Sequence, residues 1–181
     1  MPNIFVLCSG RCGSTTFSKA ASHATNYSSG HETRTPLIGS DRLAYPNHHI
    51  EADNRLTWML GRLEREWGDR ALYVHLQRER NATARSFAAR SAKGIMRAYR
   101  EDILLGSRKY RKKVSDFDYA LDYIDTVNAN IETFLARRSN HFRVQLETAT
   151  RDFEEFWNWA GLEGDLGAAL NEWKTSYNAT K

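Results

Sequence analysis

This sequence of 181 residues has few cysteines and prolines, the residues that cross-link or stiffen a chain. It contains only two cysteines and three prolines, so a disulfide framework is excluded, and a metal cluster would need ligands other than thiolates. There is no run of about 18 apolar residues, and Met1-Pro2-Asn3 leads directly into an apolar segment without a leader peptide. We therefore expect a soluble, cytoplasmic chain with no membrane span, folded as one domain over residues 1–181.

A large excess of charge of one sign is also lacking. Lysine and arginine number 26 and aspartate and glutamate 22, which gives a net charge of +4. This modest excess suits a small anionic ligand and does not call for nucleic acid. The one dense basic run, Arg108–Lys113, is expected to be a solvated connection rather than a loop that binds phosphate or steers an acceptor.

Apolar segments of strand length alternate with amphipathic segments of helix length along the chain. The predicted strands lie near residues 3–8, 25–28, 48–52, 71–77 and 141–146, and the predicted helices near 14–23, 54–67, 81–98, 117–138, 150–160 and 165–173. This alternation predicts a three-layer αβα domain with a central parallel sheet and a P-loop-like architecture. In such a sheet, ligands bind beyond the carboxyl ends of the strands.

The segment from Ile4 to Phe17 reads as a buried strand, a loop containing glycine, and a helix that opens with hydroxyl residues. Gly10 and Gly13 let the backbone approach a ligand, and the N–H groups at the helix start favour an anion. A Walker A motif would place a lysine after the second glycine, whereas here Arg11 precedes Gly13. A phosphate is the expected ligand, but a magnesium-dependent nucleotide hydrolase is not the first choice. Taken alone, the segment also fits an ordinary strand-turn-helix.

A second candidate anion site follows the strand predicted at 71–77. Arg78 stands at the end of that strand, and Ser86 lies eight positions later, in the second turn of a helix predicted to start near Asn81. A hydroxyl placed there can share an anion with the guanidinium group. Because both motifs follow strands of the same predicted sheet, they are expected at the same edge of it.

In this order the two motifs resemble those of sulfotransferases that use 3'-phosphoadenosine 5'-phosphosulfate (PAPS). The stretch Arg11-Cys12-Gly13-Ser14-Thr15 is similar to their first motif, with cysteine in place of the usual serine. The resemblance implies that this stretch binds the 5'-phosphosulfate and that Arg78 and Ser86 bind the 3'-phosphate. The adenine-stacking aromatic of many relatives would fall at Thr16, with Phe17 one step later, so no residue is assigned to adenine.

A third segment, Gly30-His31-Glu32-Thr33-Arg34, looks like the Gly-Glu-Glu-Thr-Arg stretch of tyrosylprotein sulfotransferases, at the same distance from the first motif. The resemblance implies that Glu32 is the general base. His31 is the runner-up because imidazole titrates nearer neutrality than a carboxylate. Arg34 is expected either to clamp an acidic acceptor or to pair with a carboxylate such as Glu32.

Together these patterns predict an enzyme that transfers a sulfuryl group from PAPS to a hydroxyl acceptor, an alcohol or phenol such as a tyrosyl or glycan hydroxyl. The product nucleotide would be 3'-phosphoadenosine 5'-phosphate (PAP), and no metal is predicted. Arg11 would stabilise charge on the leaving phosphate. Two alternatives stay open: a P-loop-like nucleotide kinase or phosphotransferase, which would need magnesium, and a non-catalytic nucleotide-binding module.

Overall fold

A computed structural model of the chain describes residues 1–105, 113–175 and 177. The basic run predicted to be a solvated connection therefore lies outside the described residues, except for Lys113. Five strands form one sheet in the order β2-β3-β1-β4-β5, and all neighbours are parallel. The strands are β1 (Ile4–Leu7), β2 (Ser28–His31), β3 (His49–Ala52), β4 (Leu72–Gln77) and β5 (His141–Gln145).

Seven α-helices connect and cover these strands in the described part of the chain. They are α1 (Ser14–Ala21), α2 (Leu60–Glu66), α3 (Arg80–Ala88), α4 (Gly94–Ala98), α5 (Asp116–Leu135), α6 (Ala149–Trp159) and α7 (Leu166–Glu172). Shorter 3₁₀ turns lie at Gly39–Arg42, Asn54–Trp58, Gly68–Arg70 and Leu146–Thr148, and a π-helical turn lies at Tyr99–Ile103.

The central strand β1 is buried on both faces, which explains its unbroken apolar sequence. Ile4 and Val6 face a first core, which Phe17 of α1 and Phe153 of α6 complete. Phe5 and Leu7 face a second core, which is filled mainly from α2, α3 and α5. The predicted three-layer α/β fold with a central parallel sheet is therefore confirmed.

Strand β2 differs most from its prediction, because it spans Ser28–His31 rather than 25–28. Its sequence, Ser-Ser-Gly-His, has no apolar alternation. The strand lies at the edge of the sheet and pairs only with β3. The shift moves His31 into the last position of the strand. His31 and the residues after it therefore emerge at the carboxyl edge of the sheet.

Two predicted helices are also divided. The helix predicted at 81–98 ends at Ala88 and resumes at Gly94, because Lys93 is extended and Gly94 adopts a left-handed conformation with φ of 56°. The helix predicted at 54–67 opens as the 3₁₀ turn Asn54–Trp58 before α2 begins. That turn follows β3 directly and lies beside the candidate site.

Candidate functional site

The loop between β1 and α1 has a tightly specified backbone. Gly10, Arg11 and Gly13 all have positive φ, of 91°, 59° and 92°. A Cβ on Gly13 would lie 2.8 Å from Cδ1 of Leu146, so only glycine fits there without a shift. α1 begins at Ser14, and its first N–H groups lie at the mouth of this loop. The segment thus has the geometry of an anion-binding helix start.

The second motif has a different local structure, because the first N–H groups of α3 already donate hydrogen bonds to a side chain of the protein. Glu79 is the N-cap residue, and its carboxylate accepts hydrogen bonds of 2.6 Å from the N–H groups of Asn81 and Ala82. The helix therefore begins at Arg80, one residue before the predicted position. An anion at this site would depend on the side chains of Arg78 and Ser86 rather than on the helix terminus.

The two motifs are in direct contact, although 75 residues separate Arg11 from Ser86. Nε of Arg11 donates to Oγ of Ser86 at 3.0 Å, and Nη1 of Arg78 donates to the backbone carbonyl of Arg11 at 3.2 Å. The sequence predicted two anion sites at one edge of the sheet. The structure brings all three side chains to one place.

These residues line a cavity of about 700 Å³, within the range of roughly 300–1,000 Å³ typical of small-molecule sites. Its charged lining residues are the cations Arg11, Arg78, Arg85 and Lys174, and its lining in the described chain contains no carboxylate. The pKa of Arg11 is lowered by burial and then by the positive charges of Arg90 and Arg78. Such crowding of positive charge favours an anionic ligand.

The cavity also has an apolar wall. It is formed by Leu146, which follows β5, and by Trp173, which follows α7. The indole of Trp173 packs against Phe17 and Phe153 at centroid distances of 6.2 and 5.5 Å. Its Nε1 is buried and has no hydrogen-bond partner among the described residues. An apolar wall in a cavity that also holds cations suits a ligand that carries both a ring system and phosphates.

Cys12 of the first motif and Phe17 of α1 face the core rather than the cavity. Cys12 is 1% exposed and belongs to the first core cluster. Phe17 is fully buried between Phe153 and Phe156, whereas Thr16 lines the cavity. Within the loop, the contribution of Cys12 to an anion site would therefore come from its backbone.

His31 reaches the first motif from the edge strand. Its Nε2 lies 3.0 Å from Oγ of Ser14 and 3.4 Å from Oγ1 of Thr15. Glu32 follows with a left-handed backbone, φ 54°, and its Oε2 lies 2.7 Å from Nη1 of Arg55. The structure thus brings His31 against the anion loop and pairs Glu32 with a cation from the turn after β3.

Arg34 contacts a carbonyl and an aromatic ring rather than the Glu32 carboxylate, which was one of its two predicted partners. Its Nη1 donates to the backbone carbonyl of Asp41 at 2.7 Å, and its guanidinium group lies 5.4 Å from the ring centroid of Tyr45. The partner of Glu32 is instead Arg55. Arg55 follows the predicted strand at 48–52 by three positions, but nothing in its local sequence indicates the long-range ion pair.

The sequence also did not indicate the apolar wall or Arg85. Arg85 lies one position before Ser86 on α3 and about one helical turn after Ala82, which also lines the cavity. Leu146 and Trp173 come from distant parts of the chain and carry no motif. Their role follows only from the packing of β5 and α7 around the loop.

The fold is similar to that of the sulfotransferase domain from the curacin biosynthetic pathway, with a TM-score of 0.68 over 98% of this chain and 79% of that domain. The two sequences are 13% identical, so the likeness shows a shared fold. No protein-family model and no curated protein sequence matches the chain.

Within the described residues, no helix has the length and apolar character needed to cross a membrane. Over the same ranges, no group of three or more histidine, cysteine, aspartate or glutamate side chains is arranged to hold a metal ion.

Proposed function

We propose that this chain transfers a sulfuryl group from PAPS to a hydroxyl acceptor. The observation that carries the proposal is the contact between Arg11 and Ser86, which joins two anion motifs in one cation-lined cavity. A nucleotide phosphorylated at both the 3' and 5' positions requires anion-binding groups for two phosphates within one cavity, and the two motifs supply such groups. The shared fold with a sulfotransferase domain supports the same reaction class.

The residues present fit such a donor. Arg11 and the N–H groups of Gly13, Ser14 and Thr15 would hold the 5'-phosphosulfate, and Arg78 and Ser86 the 3'-phosphate. Glycine at position 13 lets the loop pack closely against Leu146 and Trp173, and the wall of these two residues would flank the nucleoside.

When bound, the donor supplies a sulfuryl group that moves in line to the acceptor oxygen. Arg11 and the loop N–H groups stabilise the negative charge left on the departing phosphate. A preorganised donor of this kind contributes about 3–4 kcal/mol in other enzymes. The loop is suited to the task because its strained backbone fixes these donors before the reaction begins.

The acceptor must lose its proton as it attacks, which requires a base within hydrogen-bond reach. We assign this role to Glu32, with His31 as the competing candidate. His31 contacts the hydroxyls of Ser14 and Thr15, and Glu32 is the next residue. Arg34, two residues after Glu32, would bind an acidic group on the acceptor once it leaves the Asp41 carbonyl.

The two rival functions make different demands on the same cavity. A kinase would need magnesium and would normally use a lysine in the phosphate loop, where this chain has Arg11 before Gly13. A non-catalytic nucleotide-binding module would keep the anion contacts but would not need Glu32 in a strained turn.

Calorimetry with PAP in the presence of a chelator tests the proposal, using adenosine 5'-phosphate as the analogue that lacks the 3'-phosphate. PAP is expected to bind without metal. Arg78→Ala should reduce PAP affinity by more than tenfold, since a charge-assisted contact is lost. The analogue should lose less, namely the part due to the contact of Arg78 with the Arg11 carbonyl.

Arg85→Ala is the matched control for charge, because Arg85 lines the same cavity but is paired with Glu79. Its effect on the two ligands should differ less than that of Arg78→Ala. No heat with PAP, together with magnesium-dependent ATP binding, would favour the kinase. Binding of PAP without any transfer from PAPS would favour the non-catalytic module.

A further inference from the structure

Strand β3 and the residue after it carry three polar side chains on one buried face. His49, Glu51 and Asp53 are 7%, 0% and 0% exposed. Ile50 and Ala52 alternate with them and fill the first core. A buried carboxylate is costly unless hydrogen bonds or opposite charge compensate it. Two such groups on one strand therefore need an explanation.

The partners of Glu51 hold the turn that carries the candidate base. Its carboxylate accepts hydrogen bonds of 2.7 Å from both the N–H and the hydroxyl of Thr33, and it lies 2.9 Å from Nε2 of His49. Burial alone would raise the pKa of Glu51, but the hydrogen bonds from His49 and Thr33 lower it below its ordinary value. Glu51 is thus ionised at neutral pH and clamps the residue that follows Glu32.

Asp53 acts on the side chain of Glu32 through Arg55. It forms a buried ion pair with Arg42 and accepts a hydrogen bond of 2.8 Å from the N–H of Arg55. Arg55 in turn lies 2.7 Å from the carboxylate of Glu32. One buried carboxylate therefore holds the backbone after Glu32, and the other holds the cation that Glu32 contacts.

The backbone of Glu32 explains why such support is needed. Its φ of 54° lies in the left-handed region, which glutamate adopts only when its surroundings impose it. Gly30, two residues before Glu32, has no room for a side chain, since a Cβ would lie 2.4 Å from Cγ2 of Thr33 and 2.8 Å from Oε2 of Glu51. The turn is thus closely packed onto Glu51 from both sides.

We propose that Glu51 is a positioning residue, which fixes the strained turn at Glu32 through Thr33 and so sets the position of Glu32 and of its neighbour His31, which contacts the anion loop. This inference rests on the proposed sulfuryl transfer. Glu51 does not line the cavity, so its effect reaches the reaction only through the turn.

Glu51→Gln tests the proposal, because one carboxylate oxygen becomes an NH2 group. That group either opposes the N–H of Thr33 or replaces the oxygen that accepts from the Thr33 hydroxyl and contacts His49. We expect kcat to fall between about 10- and 100-fold, the cost of a misplaced catalytic group, with the Kd for PAP unchanged. Thr33→Val removes only the hydroxyl and should lower kcat less. Thr33→Ser restores the hydroxyl and should restore kcat.

Glu64→Gln controls for the substitution itself, since it removes a half-exposed carboxylate that pairs with Arg138 rather than with the turn. It should leave kcat unchanged. The amide proton of Thr33 provides a readout that does not depend on activity. Its protection from hydrogen exchange should fall in Glu51→Gln and stay at the wild-type level in Glu64→Gln.

The role of Glu51 is overturned if the wild type transfers sulfuryl groups and both Glu51→Gln and Thr33→Val keep its kcat. If Glu51→Gln does not fold, the comparison of Thr33→Val with Thr33→Ser decides, and equal kcat values for the two overturn it. A wild type that neither binds PAP nor transfers a sulfuryl group contradicts the proposed function itself, a different result from unchanged variants of an active enzyme.

Discussion

His31 and Glu32 are neighbours in the chain, but their side chains have different partners. The ring of His31 contacts hydroxyls of the anion loop, whereas the carboxylate of Glu32 pairs with Arg55 at an exposed fraction of 32%. A group that only orients the loop hydroxyls and a group that accepts a proton should respond differently to substitution. The two roles can therefore be separated residue by residue.

Glu32→Gln is expected to lower turnover by about 10²–10⁴-fold, the usual contribution of a general base. The amide keeps the shape of the side chain but cannot take the acceptor's proton. Nucleotide affinity should stay nearly unchanged, because Glu32 does not line the cavity. Single-turnover rates with a verified acceptor, together with calorimetry of PAP, provide the measurement.

His31→Asn supplies the comparison. It should weaken nucleotide binding modestly, because the ring contacts Ser14 and Thr15, and it should retain turnover at saturating donor. Loss of transfer in His31→Asn with full turnover in Glu32→Gln would reverse the assignment of the base.

At the scale of elements, the sequence predicted best the strands that carry an apolar run or an apolar alternation. Strands β1, β3, β4 and β5 were all predicted to within one residue at each end. The polar edge strand β2 was displaced by three residues, since its pairing with β3 leaves no apolar pattern to detect. The break between α3 and α4 depends on the backbone at Lys93 and Gly94, which helical periodicity does not reveal.

Helix α7 shows how a weak element can matter to the site. It has seven residues, fewer than the roughly 12–15 that an isolated helix needs, so it depends on its cap and on its packing against α1. Asp165 caps it by accepting a hydrogen bond of 2.9 Å from the N–H of Ala168. The helix leads directly into Trp173, which walls the cavity.

Asp165→Ala is expected to reduce the free energy of unfolding by about 1 kcal/mol and to weaken PAP binding by up to about fivefold, the factor to which that energy corresponds. Urea denaturation and calorimetry measure the two effects. Ser115→Ala is the control, because Ser115 caps α5 through a hydrogen bond of 3.1 Å from Asp118 N–H. It should cost similar stability without changing affinity. Equal losses of affinity in the two variants would contradict a role for α7 in the site.

At the scale of the whole molecule, the parallel sheet explains why part of the site could be predicted from the sequence. Motifs that follow strands β1, β2 and β4 all meet at one edge, because every strand points the same way. Contiguous motifs such as Arg11–Thr15 were therefore recognisable. Arg55 and Trp173 were not, since their contacts with the site depend on packing between segments far apart in the chain.

The sheet also encloses a histidine that plays no part in the site. His75 of β4 is fully buried, its Nε2 lies 3.3 Å from Oδ1 of Asn128 on α5, and its Nδ1 has no partner among the described residues. Burial lowers its pKa to about 4. The unfolded chain, where histidine titrates near pH 6.5, binds more protons between these values. Stability should therefore fall as the pH drops from about 6.5 toward 4.

The last prediction concerns this loss of stability at acid pH. Between pH 7.5 and 5, His75 should account for a loss of about 2 kcal/mol in the free energy of unfolding. Urea denaturation at the two pH values should show a smaller loss for His75→Gln than for the wild type, by about that amount. His141→Gln, which removes a half-buried histidine of β5, should keep the wild-type dependence. Equal losses in the wild type and His75→Gln would mean that His75 is not held neutral in the folded protein and that the acid sensitivity arises from other groups.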